Sequence, residues 1–458
     1  MTAFARTRNR QGGKGMDRPL KHWTLGTLAL LGIAVSALLW NPAATAAIDG
    51  VKGDTFFLDT TTGFIDTGEG NRVLFWGFAD GQTGRVQYPG PTLIVTEGQP
   101  VTVTLRNWLP EPVSLIFGGQ DNVVALAGQR GLIAAEAQTG GGTVTYHFTP
   151  ARPGTYYYHS ATNMDTQVMM GLFGALIVRP AGYNADNNAT WSAYNDNASR
   201  YNREFLFLLS EMDDVFNTAV ETGQPVDTTT FFPVYWFLNG RNAPDTFAPD
   251  RVPYLPTQPY GAMAAMHPGD NVLVRIVNMG HDPHPFHTHG NHVRIIARDG
   301  RLRSTNEGVA GADLSELAFS VTAAPGRTVD ALFQWTGKDL GWDIYGDNNV
   351  NLHTCIDTNL DGYDDTTVEW CADHGKPFPV FLPNLEDLDF GPFWSGSPFM
   401  GETGVLPVGV TRFNFNGGYF MMWHSHNEKE LTNNDVFPGG LMTFMDVEPP
   451  WIDIPEVP

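Results

Sequence analysis

The chain has 458 residues, with 27 lysines and arginines against 49 aspartates and glutamates, for a net charge of −22. A surface of that sign repels phosphate backbones, which argues against a nucleic-acid partner, and the length allows two or three domains with large cores. Its two cysteines, Cys355 and Cys371, share one loop-like segment; they predict a disulfide in an exported chain and leave no thiolate for a distant metal centre.

In chain order, basic residues from Arg6 to Lys21 precede an apolar run from Leu25 to Trp40, and Ala43-Ala44-Thr45-Ala46-Ala47 follows. This reads as a secretory signal over residues 1–47 ending in an A-x-A cleavage site, and it predicts an exported protein, periplasmic or extracellular. The alternative is an uncleaved anchor, for which the run is short. Without residues 1–47 the chain would keep 21 basic and 48 acidic residues, a net charge of −27. That balance suits solubility or a cationic substrate.

Beyond this segment, short alternating apolar runs lie between turn signals, and glycine and proline are plentiful. This is an all-β pattern. Val101-Thr102-Val103-Thr104-Leu105 follows the turn at Gly98, and Val272-Leu273-Val274-Arg275-Ile276-Val277 follows the turn at Gly269. These runs open two copies of an internal repeat, each closing with an aromatic strand, a His-Ser pair, a polar loop and a glycine-rich return strand. The expected organisation is two tandem β-sandwiches, residues 48–182 and 204–458, with a polar linker over 183–203 and an insertion over about 301–410 in the second. Within that insertion, Asp357, Asn359 and Asp361 followed by Gly362 match the start of a calcium loop. Its twelfth position is Val368, and Glu369 comes one residue late. The alternative is a solvated acidic loop.

Five of the 13 histidines fall between His281 and His292. His287 and His289 are separated by one residue, as are His424 and His426, so each pair is expected on one face of a strand, with Ser425 facing the other way. Two such pairs predict a metal site. Imidazoles alone suit copper, zinc, nickel or iron. Methionines near these motifs, such as Met170, Met421, Met422 and Met442, could serve Cu(I) or simply fill a core.

The runs HPFHTHG, HSH and GGLM resemble the third and fourth copper motifs of the multicopper oxidases, and GTYYYHS with Gln167 and Gly171 is similar to the second. The resemblance implies two tandem cupredoxin-like Greek-key domains and copper as the metal. It implies His287 as a type 2 ligand, His159, His289, His424 and His426 as type 3 ligands, and His284 as a type 1 ligand. The departures are Ile116 and Gly118 in the first motif, Ala161 in the second, and Ser425 and Glu430 in place of the type 1 cysteine and second histidine. A blue centre needs its cysteine thiolate, so none is expected. Two-domain members further imply a homo-oligomer, a homotrimer in which a neighbour's His159 meets the other four.

Two functions follow. One is a copper-dependent oxidoreductase with oxygen as acceptor, using a histidine-only site and taking electrons from a small reducing substrate or metal ion. Positions 116, 118 and 161 would leave coordination open, and Glu430 and Asp435 would be solvated carboxylates or proton carriers. The other is a noncatalytic protein that stores, buffers or delivers copper.

Overall fold

A computed structural model describes residues 48–81, 84–346, 353–377, 396–398 and 417–454. The expected signal segment lies outside them. No helix among the described residues is long and apolar enough to cross a membrane.

The first half builds two sheets from alternating strands. One has the strand order Val51–Lys52, Leu93–Thr96, Phe173–Arg179, Gly154–His159, Ile116–Phe117; the other centres on Thr55–Asp66 and Val101–Asn107. Each contains a parallel pair, Leu93–Thr96 with Phe173–Arg179 and Thr55–Asp66 with Val101–Asn107, so the chain must cross between sheets in the Greek-key manner. In Val101–Asn107 the buried residues are Val101, Val103, Leu105 and Asn107, as the alternation predicts. Val101, Val103 and Leu105 close a core with Phe56, Tyr146 and Leu176.

The second half repeats the plan. One sheet carries Arg203–Met212, Val272–Asn278, Arg327–Phe333 and Val293–Arg298; the other runs Ala264–Met266, Met442–Val447, Tyr419–Ser425, His284–Thr288, Ser320–Ala323. Phe207, Ile276, Phe286, Trp335 and Trp423 lie in the core between them. The insertion starts later than expected. Strands Ser320–Ala323 and Arg327–Phe333 pair with His284–Thr288 and Val272–Asn278, so residues 301–333 belong largely to the sandwich, and the added segment begins after Phe333. The expected disulfide, Cys355–Cys371, lies in that segment.

The two halves meet through an apolar cluster that includes Tyr88, Phe173, Leu208 and Phe237. Beside it runs a buried charge network. Glu204 bonds Arg179 at 2.7 Å and Arg275 at 3.0 Å, and Thr155 donates to Asp330 at 2.6 Å. Burial alone would raise the Glu204 carboxyl, but the guanidiniums of Arg179 and Arg275 bring it down to about 2.

Candidate metal centre

His284–Thr288 and Tyr419–Ser425 are neighbouring antiparallel strands in which His287 lies opposite His424 and Phe286 opposite Ser425. Opposite residues share a face and successive ones alternate. His287 and His424 therefore look away from the core, while Phe286, Trp423 and Ser425 look inward. His289, just past the strand end, is fixed by its amide donating to the Met422 carbonyl at 3.2 Å.

Four imidazoles converge on the outer face. Ring centroids are 4.9 Å apart for His287–His289 and His287–His426, 5.1 Å for His289–His424 and 5.5 Å for His424–His426. His287, His289 and His424 are buried and His426 is exposed. The Nδ1 of His287 donates to the Phe319 carbonyl at 2.7 Å, and the Nδ1 of His424 to the Ser425 carbonyl at 2.6 Å. A carbonyl only accepts, so each Nδ1 carries the proton and each neutral ring keeps its lone pair on Nε2. Backbone carbonyls commonly orient metal-binding imidazoles in this way. Burial, reinforced by the neighbouring imidazoles, lowers both His287 and His424 to about 4. They are neutral at pH 7, the form that binds a metal. The Nε2 atoms of His289 and His424 are 3.0 Å apart, about the separation of two nitrogens each about 2.0–2.1 Å from a shared metal. The residues present fit copper.

Phe319 was not legible as part of this site. It lies in the stretch assigned by sequence to the insertion, yet its carbonyl orients His287 and its ring stacks on His287 at 4.0 Å.

His159 stands apart. Its Nδ1 donates to the Ser160 carbonyl at 2.7 Å, so its Nε2 is also left for a metal, but among the described residues its ring contacts Tyr157 and none of the four other histidines. Ile116 is its direct cross-strand partner. The first half thus repeats the His287–His424 register with one imidazole replaced. The expected openings there are filled: a Cβ on Gly118 would stand 2.6 Å from the Tyr157 ring, and Ala161 is buried.

The inward face corrects the expectation for His284. Its Nε2 meets Glu211 Oε2 at 2.9 Å and its Nδ1 meets Glu430 Oε2 at 2.9 Å, so both ring nitrogens are engaged by carboxylates and neither is presented to a metal. Ser425 donates its hydroxyl to Glu430 at 2.6 Å, and Asn427 donates to the other Glu430 oxygen at 2.9 Å. Glu430 is therefore buried within a network, not a solvated carboxylate, whereas Asp435 is exposed beside Lys429. Burial would lower His284, but the two carboxylates hold it protonated up to about 10. The raised value means that this network stabilises the fold fully below about pH 6.5 and is lost as pH rises through about 10. Glu430→Ala is expected to cost about 2–3 kcal/mol at pH 7 in chemical unfolding. A cost within error of zero would refute this picture.

Met170, Met421 and Met445 are fully buried in the cores, where they act as filler. The calcium-like loop uses its side chains on its own backbone: Asp357 accepts from the Gly362 amide at 2.9 Å, Asn359 from Asp361 at 2.9 Å, and Asp361 from Tyr363 at 2.9 Å. Glu369 turns away from it toward His353 and His374.

The multicopper oxidase family matches the chain twice, over residues 81–182 and 237–330, one match in each sandwich. The chain belongs to the multicopper oxidase family. The fold of this multicopper oxidase family member is similar to that of the blue copper oxidase from Nitrosomonas europaea, with a TM-score of 0.52 and 18% identity over 86% of each chain. In sequence it is 37% identical over 120 residues to multicopper oxidase VdtB of Byssochlamys spectabilis, covering 23% of this chain and 16% of that one. It is 35% identical over 108 residues to laccase 1 of Metarhizium acridum, covering 23% and 17%. A probable nitrite reductase-hydroxylamine oxidoreductase fusion protein of Kuenenia stuttgartiensis is 27% identical over 208 residues, covering 44% of this chain and 20% of that one. The chain thus spans only a sixth to a fifth of these curated relatives, and the family implies copper.

Proposed function

We propose that this chain is an exported copper oxidoreductase with a histidine-only site and no blue centre. The observation that carries the reading is the convergence of His287, His289, His424 and His426 on the face opposite Ser425, with His287 and His424 each held at Nδ1 by a backbone carbonyl so that Nε2 is turned toward the group. Bound copper would supply one-electron redox chemistry with a small reducing substrate or metal ion. The chain's part is to hold the imidazoles neutral, to orient them through the Phe319 and Ser425 carbonyls, and to leave His426 on the open side where a reductant can approach. Export is supported by the Cys355–Cys371 disulfide, a bond that persists in oxidising compartments. His159, whose Nδ1 is taken by the Ser160 carbonyl and which has no histidine neighbour among the described residues, suits a trimer in which it faces the next subunit's group.

The second reading, a noncatalytic copper carrier, is favoured by the Tyr157 ring that fills the place at Gly118. Calcium at Asp357, Asn359 and Asp361 remains part of the proposal only as a loop-stabilising ion.

Metal analysis with electron paramagnetic resonance, followed by oxygen uptake on phenols, Fe(II), Mn(II) and Cu(I), tests this. The expected result is stoichiometric copper, no intense blue absorption, and oxygen uptake. A blue band would overturn the assignment of Ser425, and copper without oxygen uptake would select the carrier.

A further inference from the structure

The segment added after Phe333 is tied back on itself by Cys355–Cys371. His353 and Glu369 each stand two residues before one of these cysteines, so the disulfide sets them side by side. His353 Nε2 and Glu369 Oε2 are 2.7 Å apart. Three residues past Cys371, His374 brings its Nδ1 to 2.8 Å from the other Glu369 oxygen and to 3.7 Å from Asp343 Oδ2. The two rings stand nearly perpendicular at 4.7 Å. One ligand atom from each of these four residues lies within 4.8 Å of all the others.

Charge points the same way. The Glu369 and Asp343 side chains are 2% and 7% exposed, and among the described residues neither pairs with a lysine or arginine. Lys376, the nearby cation, is taken by Asp373 at 2.8 Å. Two buried carboxylates sharing one pocket need compensating positive charge. Backbone donors position them as well: Asp343 accepts from the Gly375 amide at 2.8 Å through Oδ2, and from Tyr345 and Gly346 through Oδ1.

We infer that Asp343, His353, Glu369 and His374 form a second metal site, separate from the copper group, for a divalent transition ion of the zinc type. Two imidazole nitrogens and two carboxylate oxygens neutralise such an ion. They are too nitrogen-rich for calcium or magnesium, and without thiolate they do not select Cu(I). Four ligands about 2.0–2.1 Å from a tetrahedral zinc stand about 3.3 Å from one another, so the observed group needs only small side-chain adjustments. The site is structural. Asp343 follows Trp342, whose indole donates to the Gly417 carbonyl at 3.0 Å and packs near Tyr419, the first residue of the strand that carries His424. A metal there would fasten the added segment to the head of that strand.

The test is the zinc content of the full chain, first loaded anaerobically with one equivalent of Cu(I), which suits the outer imidazole group better than a site that is half carboxylate, then equilibrated with Zn2+ and freed of excess. Wild type is expected to retain one zinc per chain, with X-ray absorption reporting only nitrogen and oxygen donors. His374→Ala and Glu369→Gln are each expected to lower zinc affinity by more than the roughly 10–100-fold cost of losing an outer-shell partner, with copper content unchanged. Unchanged copper and the absence of free thiols show that each variant is folded; if one is not, His353→Ala, at a more exposed ring, carries the test. Wild type without zinc, or variants that keep it equally, would overturn the site and leave an ion-paired cluster.

Discussion

Replacing His424 and His426 together by alanine is expected to abolish stoichiometric copper binding and, with it, oxygen uptake. The double variant removes half of the four converging imidazoles, including the His424 ring whose Nε2 lies 3.0 Å from that of His289. Since losing one outer-shell partner costs roughly 10–100-fold in metal affinity, losing two ligands should exceed about 100-fold. His424 is buried on the outer face of a strand whose core contacts are made by Trp423, so the substitutions leave the packed side untouched. Near-native unfolding with copper lost is the expected pair of observations by metal analysis and denaturant titration. Copper retained at wild-type stoichiometry would place the site elsewhere.

The second large effect concerns the junction of the sandwiches. Glu204→Ala should destabilise the protein by about 3–5 kcal/mol, because it leaves the buried Arg179 without its carboxylate and the buried Arg275 with only Asp330, 3.9 Å away. Both arginines are buried, at 6% and 0% exposure, and Arg179 belongs to the first sandwich while Glu204 and Arg275 belong to the second. The pH dependence has a definite sign. A carboxyl held at about 2 in the fold and near 4.5 when free contributes its stability above about pH 4.5 and loses it as pH falls toward 2. Wild type should therefore weaken across that acid window by urea titration, while Glu204→Ala, already lacking the carboxylate, should show a flatter profile there. Equal stabilities at pH 7 would sink the argument.

Much of the architecture could be read from the residues. The alternation in Val101–Asn107 and the repeat starting at Val272 locate strands because a half-buried strand repeats every two residues. The histidine pairs were legible for the same reason. What escaped was long-range. Nothing local in the sequence marks Glu211 as the second partner of His284, since the two are 73 residues apart and meet only when their strands pack. Glu430 looks like a surface acid because Lys429 and Asp435 flank it, yet the tight turn after Ser425 folds it inward. The Phe319 carbonyl is a backbone group, and backbone groups carry no signature of residue type. Most of residues 301–333 belong to the sandwich and not to the insertion, because strand pairing decides the boundary and no local signal marks which strands pair. The four residues around Glu369 were missed because the calcium-like spelling beside them claimed the segment first.

Along the strand Tyr419–Ser425, parity of position decides environment. Its outward His424 joins the imidazole group, while its inward Met421 and Trp423 enter the apolar core and its inward Ser425 meets Glu430, so a residue's role depends on whether its position is odd or even. Deleting one residue upstream, such as Met422, would turn the His424 imidazole into the core and the Ser425 hydroxyl to the surface, converting both environments at once. Length changes in this strand can preserve the site only in steps of two, so its reading frame in space is as restrictive as its composition.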